Sequence, residues 1–407
     1  MRSEWIVRPT RKEVKEKVER GEHLNSRELF VLKSRSFVYP AEMLESLKGP
    51  DEFPKREIIE ILYNWCREVD EAEDGRFPIA DKIDVLNKLP FILCEIARRK
   101  AKDSLDDLID GDLKYVTTKM ANGAVDKDTQ SFISEFGKGQ VLKDTQKFSR
   151  PIKEIFRHYV GGMANGMQRC LEKRELETVA DLNMYVHYVA ELVGDALTSI
   201  VRETDNYSLL HERGKALAKI LQITNITKNI RDDYNARADY PDSRILFLPR
   251  EFYKPLTPAD LFYSESKEAK SARENVFKGL KKLAGRSLPL AASYVLRIPN
   301  DKLPGYKALC LASLIPALEN WKLMERVGPE AVFKGIENAL KIDRDSWFRN
   351  IVDFIHEVIP NKKADSFLRQ YIKSTKSYSF ESGDKDNSYE KWSYNWIGGR
   401  KLEANSK

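Results

Sequence analysis

Close-set cysteines are missing from this chain of 407 residues. The four present, Cys66, Cys94, Cys170 and Cys310, stand far apart with no CxxC pair, which excludes a zinc ribbon and a thioredoxin-type motif. Each thiol lies in an apolar stretch, so all are expected to be reduced and buried, as in an intracellular compartment. Histidine is also scarce, and no Glu-x-x-His pair occurs; Asp353-x-x-His356 comes nearest, so a di-iron carboxylate bundle is set aside. Long apolar runs are missing too. Ala308–Leu318 and the stretch around Leu288–Leu296 fall short of the roughly 20 residues a membrane span requires. The opening segment MRSEWIVRPTRKEVKEKVERGE has no uninterrupted apolar core, so a secretory signal is not expected. These absences predict a soluble, cytoplasmic protein.

A one-sided charge is missing as well. Lys plus Arg number 69 against 63 Asp plus Glu, a net charge of +6. That is far below the footprint of a dedicated nucleic-acid binder, and no basic-aromatic motif accompanies it, so nucleic acid is not an expected partner. The mild positive balance suits anionic substrates and peripheral contact with an acidic membrane face.

What is present is helical periodicity. Hydrophobic residues make up 42% of the chain and aromatics 10%, enough for a large core and against global disorder. Apolar residues recur at three- and four-residue spacing over Arg56–Glu73, Ile79–Lys102, Pro151–Lys173, Val179–Thr204, Leu209–Tyr234 and Ala269–Leu296, which predicts helices there. Thr257 followed by Pro258 and Asp260 predicts a capped start for a shorter one. Alternating strand patterns joined by tight turns are scarce, and no repeat of 20–50 residues is visible. The fold class is all-α. Residues 1–30 read as a charged helical arm, 31–374 as the main body and 375–407 as a polar, mobile tail in which Trp392, Tyr394 and Trp396 could dock. Residues 235–250 read as a loop.

Four stretches carry possible chemistry. In YNWCREVDEAEDG (residues 63–75), Tyr63, Arg67, Asp70 and Asp74 fall within an arc of about 60° on a helix. Carboxylates one turn apart repel by a few tenths of a kcal/mol unless a divalent cation bridges them, and Mg²⁺ needs one or two carboxylates, with waters and phosphate oxygens completing its shell. The bland alternative, a solvated acidic helix end before Gly75, is equally compatible with this stretch alone. In QITNITKNIRDD (residues 222–233), Asn225, Asn229 and Asp233 stand at i, i+4 and i+8, with Asp232 on the same side. Asn and Asp are poor interior helix residues, yet Leu221, Ile223, Ile226 and Ile230 surround them, so an exposed polar face is the weaker explanation. Two such stripes facing each other across an apolar bundle could hold a diphosphate through Mg²⁺ and ionise its C–O bond.

The third stretch, YVHYVAELVG (residues 185–194), offers Tyr185 and Tyr188 one turn apart, able to line a cavity where aromatic faces stabilise a cation; core packing is the alternative for either taken singly. His187 lies off their face and suits a structural hydrogen bond. Gly161, Gly162 and Gly166 precede it. The fourth, KSRSF (residues 33–37), places Ser34, Arg35 and Ser36 at the opening of a helix, an anion site or an ordinary cap.

Taken together these stretches resemble the squalene/phytoene synthase family. SRSF matches the family's N-terminal Ser-x-Ser-Phe element. YNWCREVDEAEDG looks like the phytoene-synthase form of the first aspartate-rich motif, and YVHYVAELVG is close to a squalene-synthase segment. LQITNITKNIRDD follows the second motif, and RILFLP (residues 244–249) matches the loop after it, all in order over roughly residues 31–320. The resemblance implies an all-α isoprenoid-synthase bundle with a central cavity. It implies Mg²⁺ and two polyprenyl diphosphates, joined head to head through a cyclopropylcarbinyl diphosphate. It also implies metal ligation by Asp70, Asp74, Asn229 and Asp233, and diphosphate contacts from Ser34, Arg35, Ser36, Tyr63, Arg67, Asn225, Lys228 and Arg244. Tyr185 and Tyr188 would face the reacting carbons. Squalene from farnesyl diphosphate, with NADPH as reductant, is the preferred product. A phytoene or dehydrosqualene type without NADPH, a divergent terpene synthase and a non-catalytic prenyl-diphosphate binder remain open. The chain departs from the family in Lys228-Asn229, where Arg-Asp is usual, and in Glu191, where glycine is usual; Glu191 is expected to place a charge beside the cavity.

Overall fold

The computed structural model describes residues 9–34, 37–46, 55–201, 207–239, 246–335, 355, 358–360 and 363–376. Every regular element among them is helical, as the periodicity predicts. Two short helices, α1 (Arg11–Glu19) and α2 (Ser26–Lys33), both begin with a capping box, Thr10 with Glu13 and Asn25 with Glu28, which satisfies two end donors at each start. Ion pairs from Arg11 and Lys15 to Asp128 tie α1 to the helix Lys127–Phe136, while Leu29 and Phe30 of α2 are fully buried. Helix α3 (Val38–Ser46) follows, then α4 (Lys55–Asp74) and α5 (Ile79–Arg98). Helices α6 (Gly161–Lys173), α7 (Val179–Val186) and α8 (Leu192–Ile200) lead into the long α9 (Tyr207–Asp239). Helices α10 (Lys267–Arg297) and α11 (Pro304–Lys334) complete the bundle. Helix α11 is interrupted at Gly328, whose φ of 81° is open to glycine at little cost.

The observed ends extend or trim the expected ones by a few residues. Helix α9 runs to Asp239, so the first part of the expected 235–250 loop is helix. Thr257 caps Pro258–Tyr263 through its bond with the Asp260 backbone amide. Two helical runs that look continuous in the sequence contain π-helical turns, Phe156–Val160 before α6 and His187–Glu191 between α7 and α8. Such a turn holds one residue more than an α turn and rotates every later side chain around the axis. All four thiols are free; Cys66, Cys170 and Cys310 are buried and Cys94 is half-buried. Among the described residues no helix is long and apolar enough to cross a membrane.

Helices α8 and α9 touch backbone to backbone. A Cβ on Gly194 would lie 2.8 Å from the Gly214 carbonyl oxygen, and one on Gly214 would lie 2.6 Å from Thr198 Oγ1. This contact closes one end of the bundle. Gly194→Ala gains up to about 1 kcal/mol of helix propensity but forces two main chains apart. It is therefore expected to destabilise the protein by about 1–3 kcal/mol, read as a lowered urea midpoint; an unchanged or raised midpoint would show that the helices separate freely.

Candidate active site

A cavity of about 300 Å³ opens between α4 and α9. On α4 its wall is Ile59, Tyr63, Cys66 and Asp70; on α9 it is Gly214, Leu217, Ala218, Leu221 and Gln222. Both faces follow helical spacing, and both change character along the axis. Past the cavity, the same face of α4 reaches Asp74 and that of α9 reaches Asn225, Asn229 and Asp232. The remaining wall is largely aliphatic, with Met163, Val189, Ala190, Val193 and Leu197 among its residues. The two sequence stripes thus form the oxygen-rich rim of an apolar chamber.

The closed end is polar but satisfied. Thr198 donates to the Gly194 carbonyl at 2.8 Å. Its oxygen can then only accept from the Tyr294 hydroxyl, 2.8 Å away, which in turn accepts from Tyr306 at 2.8 Å. Neither tyrosine was marked by the sequence patterns; each lies on a helix whose spacing reads as plain core.

The α4 rim holds its charges out of water. Asp70 is pushed up to about 7 by burial, reinforced by Asp74 and Glu71 and opposed by Arg67. Glu73 is pushed up to about 8, again by burial first and then by Asp74 and Asp70. Burial works against the charge on Arg67, but Glu71 and Asp70 outweigh it and hold the guanidinium protonated. Arg67 Nη1 donates to Asp70 at 3.2 Å and Nη2 donates to Glu71. The fully buried Lys82 donates to the Glu73 carbonyl near the end of α4, where the helix dipole favours a cation. Tyr63 stacks on Phe37 with centroids 5.7 Å apart, and its hydroxyl lies beside Ser34. Ser34 is buried at the end of α2, so KSRSF joins two helices instead of simply opening one. Arg35, Ser36 and Arg244 lie outside the described residues.

Tyr185 joins the two rims. Its hydroxyl donates to Glu73 Oε2 at 3.2 Å, its ring stacks on Phe247 at 4.3 Å, and it feels the charges of Glu73, Asp74, Asp70 and Asp233. Tyr188 does not share this position. Its ring packs on Gly166, and its hydroxyl accepts from Arg169 at 3.4 Å. Glu191 likewise departs from expectation: it is not on the cavity wall but bonds His187 Nδ1 at 3.0 Å and faces Lys219 at 3.7 Å. The π turn accounts for Tyr188, since it carries Val189, Ala190 and Val193 to the cavity side; Glu191 lies about 120° from Tyr185 even on a regular helix. His187 has the structural bond expected of it.

On α9, Asn229 donates to the Asn225 side-chain oxygen at 3.0 Å; Asn225 is exposed, and Lys228, Asn229 and Asp233 are half-buried. Among the described residues no three His, Cys, Asp or Glu side chains converge into a closed cage. The rim nevertheless fits a hard cation. Its donors are carboxylate and amide oxygens, and Glu73 Oε1 is buried without a hydrogen-bond partner.

Asp70 and Glu73 hold their protons more tightly folded than unfolded. Their contribution to stability is therefore intact below the ordinary carboxylate range near about 4, and it declines as pH rises towards about 7 and 8. In EDTA the melting temperature is expected to fall between about pH 4 and about pH 8, and Asp70→Asn to flatten that fall. An equal fall in the variant would remove Asp70 as its source.

Comparison with known proteins gives the family and the fold. Residues 52–341 match the squalene/phytoene synthase family profile. Botryococcus squalene synthase of Botryococcus braunii is 32% identical over 105 residues, 25% of this chain and 22% of that protein. Squalene synthase of Dictyostelium discoideum is 24% identical over 267 residues, 60% of this chain and 61% of that one. The complex of TcSQS with the ligand E5700 superposes with a TM-score of 0.65 at 20% identity, covering 92% of this chain and 95% of the other, which shows a shared fold. With its helical bundle and the profile match across most of its length, this chain belongs to the squalene/phytoene synthase family.

Proposed function

We propose that the protein is a Mg²⁺-dependent prenyltransferase that joins two polyprenyl diphosphates head to head, with farnesyl diphosphate as substrate, squalene as product and NADPH as reductant. The observation that carries this reading is a chamber whose two long helices turn from aliphatic wall to oxygen-rich rim on the same face. A prenyl tail suits the wall, and a diphosphate bridged by a hard cation suits the rim.

In this reading Asp70, Asp74, Asn229 and Asp233 hold Mg²⁺, which when bound neutralises a diphosphate leaving group. The chain's own cations do the rest of the binding: Arg67 in the wall, Lys228 on α9, and Arg35 and Arg244 from the sequence motifs. Ser34, Ser36, Tyr63 and Asn225 add hydrogen bonds. Tyr185 stands at the junction of tail and diphosphate, its ring held by Phe247 and its hydroxyl by Glu73, so it presents a fixed aromatic face to positive charge. The aliphatic wall excludes water from a reacting cation. Tyr188, packed on Gly166, is given no catalytic part.

A product assay tests the proposal. Purified protein is incubated with Mg²⁺ and either farnesyl or geranylgeranyl diphosphate, with and without NADPH, and the lipid extract is analysed by mass spectrometry. An NADPH-dependent C30 hydrocarbon from farnesyl diphosphate is expected. An NADPH-independent C30 or C40 product would move the protein to the dehydrosqualene or phytoene branch. Consumption of neither substrate, with diphosphate binding still weakened by Asp70→Ala, would leave a binder in place of an enzyme.

Asn229 yields a separate expectation. An amide oxygen is a poorer Mg²⁺ ligand than a carboxylate, and affinity rises with ligand charge. Asn229→Asp is expected to lower the half-saturating Mg²⁺ concentration about tenfold, measured by titration of activity or by calorimetry. An unchanged or higher value would take Asn229 out of the ligand set.

A further inference from the structure

We infer that Glu71 is the positioning residue of the anion-binding wall, holding Arg67 and Lys33 in the arrangement that a diphosphate meets. The inference rests on the prenyl-diphosphate reading above and adds two residues to it, neither of which the sequence patterns assigned a role.

Glu71 is absent from the cavity lining, and its side chain is only 1% exposed. It lies about 100° around α4 from Asp70, turned towards α2. There its carboxylate accepts from Lys33 Nζ at 2.6 Å and from Arg67 Nη2. Lys33 Nζ is held from a third direction by Thr129 Oγ1, 2.6 Å away on the helix Lys127–Phe136. One buried oxygen therefore fixes two cations on two helices, and a third helix steadies one of them.

The consequence falls on Arg67. A guanidinium is a planar fork whose donors move as one body. With Nη2 on Glu71 and Nη1 on Asp70, the plane is set, and Nε is left buried without a hydrogen-bond partner. A buried N–H left unmatched is costly, and Arg67 stands one turn from Tyr63 and Asp70, which line the cavity. Lys33 and Arg67 bring two positive charges here, and Glu71 and Asp70 return two. The carboxylates fix the cations in place, so what the network supplies to a phosphate oxygen is the orientation of the Arg67 fork.

This role has an experimental sign opposite to that of simple electrostatics. Removing a carboxylate beside two cations strengthens anion binding if only charge matters. If Glu71 positions Arg67, removing it weakens binding. Inorganic diphosphate is titrated calorimetrically into the full chain in the presence of Mg²⁺, for the wild type, Glu71→Gln and Glu71→Asp. Both variants are expected to bind about tenfold more weakly, because a displacement of about 1 Å in a binding group costs that much or more. Glu71→Asp keeps the charge and shortens the arm, so it stays informative if Glu71→Gln does not fold. A merely structural role lowers the fraction of molecules that bind and leaves the dissociation constant of the rest unchanged. Wild-type-like or tighter binding in either folded variant overturns the inference while leaving the prenyl-diphosphate reading intact. Absence of diphosphate binding by the wild type overturns both.

Discussion

The site depends on acids buried where charge is costly. Helix α4 buries Glu60, Glu68, Glu71 and Glu73, and ionised groups taken out of water cost several kcal/mol each unless paired. The structure answers each one differently. Glu60 is met by Arg27 and Arg56. Glu71 is met by Lys33 and Arg67. Glu68 has its carboxyl pushed well up by burial, and neither oxygen has a hydrogen-bond partner. Glu73 is left partly unanswered, with Tyr185 on one oxygen and nothing on the other. Of these two least compensated acids, Glu73 is the one that lies at the chamber's rim. The rest of the fold supports this by supplying arginines and lysines from α2 and the dipole-matched Lys82 from α5.

Much of this was legible in the sequence because it is written in helical periodicity. A face that reads Ile59, Tyr63, Cys66, Asp70 and Asp74 at three- and four-residue steps can be found by counting, and so can Ala218, Gln222, Asn225 and Asn229. Other features were hidden for a definite physical reason. The π turn at His187–Glu191 adds one residue to a helical turn, so a regular count places Tyr188 towards the cavity when it faces away from it. No residue type marks such a turn in advance. The pairing of Glu71 with Lys33 spans 38 positions and depends on how α2 meets α4, which no local pattern encodes. Tyr294 and Tyr306 looked like core aromatics and are buried as such; their role at the chamber's closed end comes from tertiary placement.

The divergence from the family pattern has a local physical setting. Lys228 and Asn229 stand on α9 opposite the acidic rim of α4, and Asn229 spends one amide hydrogen on Asn225. The α9 rim therefore sets two amides, Asn225 and Asn229, beside its carboxylates Asp232 and Asp233, while α4 carries more of the negative charge. A cation held between them would be bound asymmetrically, closer in character to α4 than to α9.

The hydroxyl row at the closed end has a consequence for reactive chemistry. Thr198, Tyr294 and Tyr306 are aligned so that each proton of the first two is committed to a neighbour and the last one points back along the row. An oxygen whose lone pairs and proton are engaged is a poor nucleophile, and the acidity of both tyrosines is suppressed by burial. An electron-poor carbon lodged against this floor meets oxygen atoms that do not capture it. The chamber can thus carry polar groups where its helices need them for cohesion and still behave, towards an electrophile, as an inert hydrocarbon vessel.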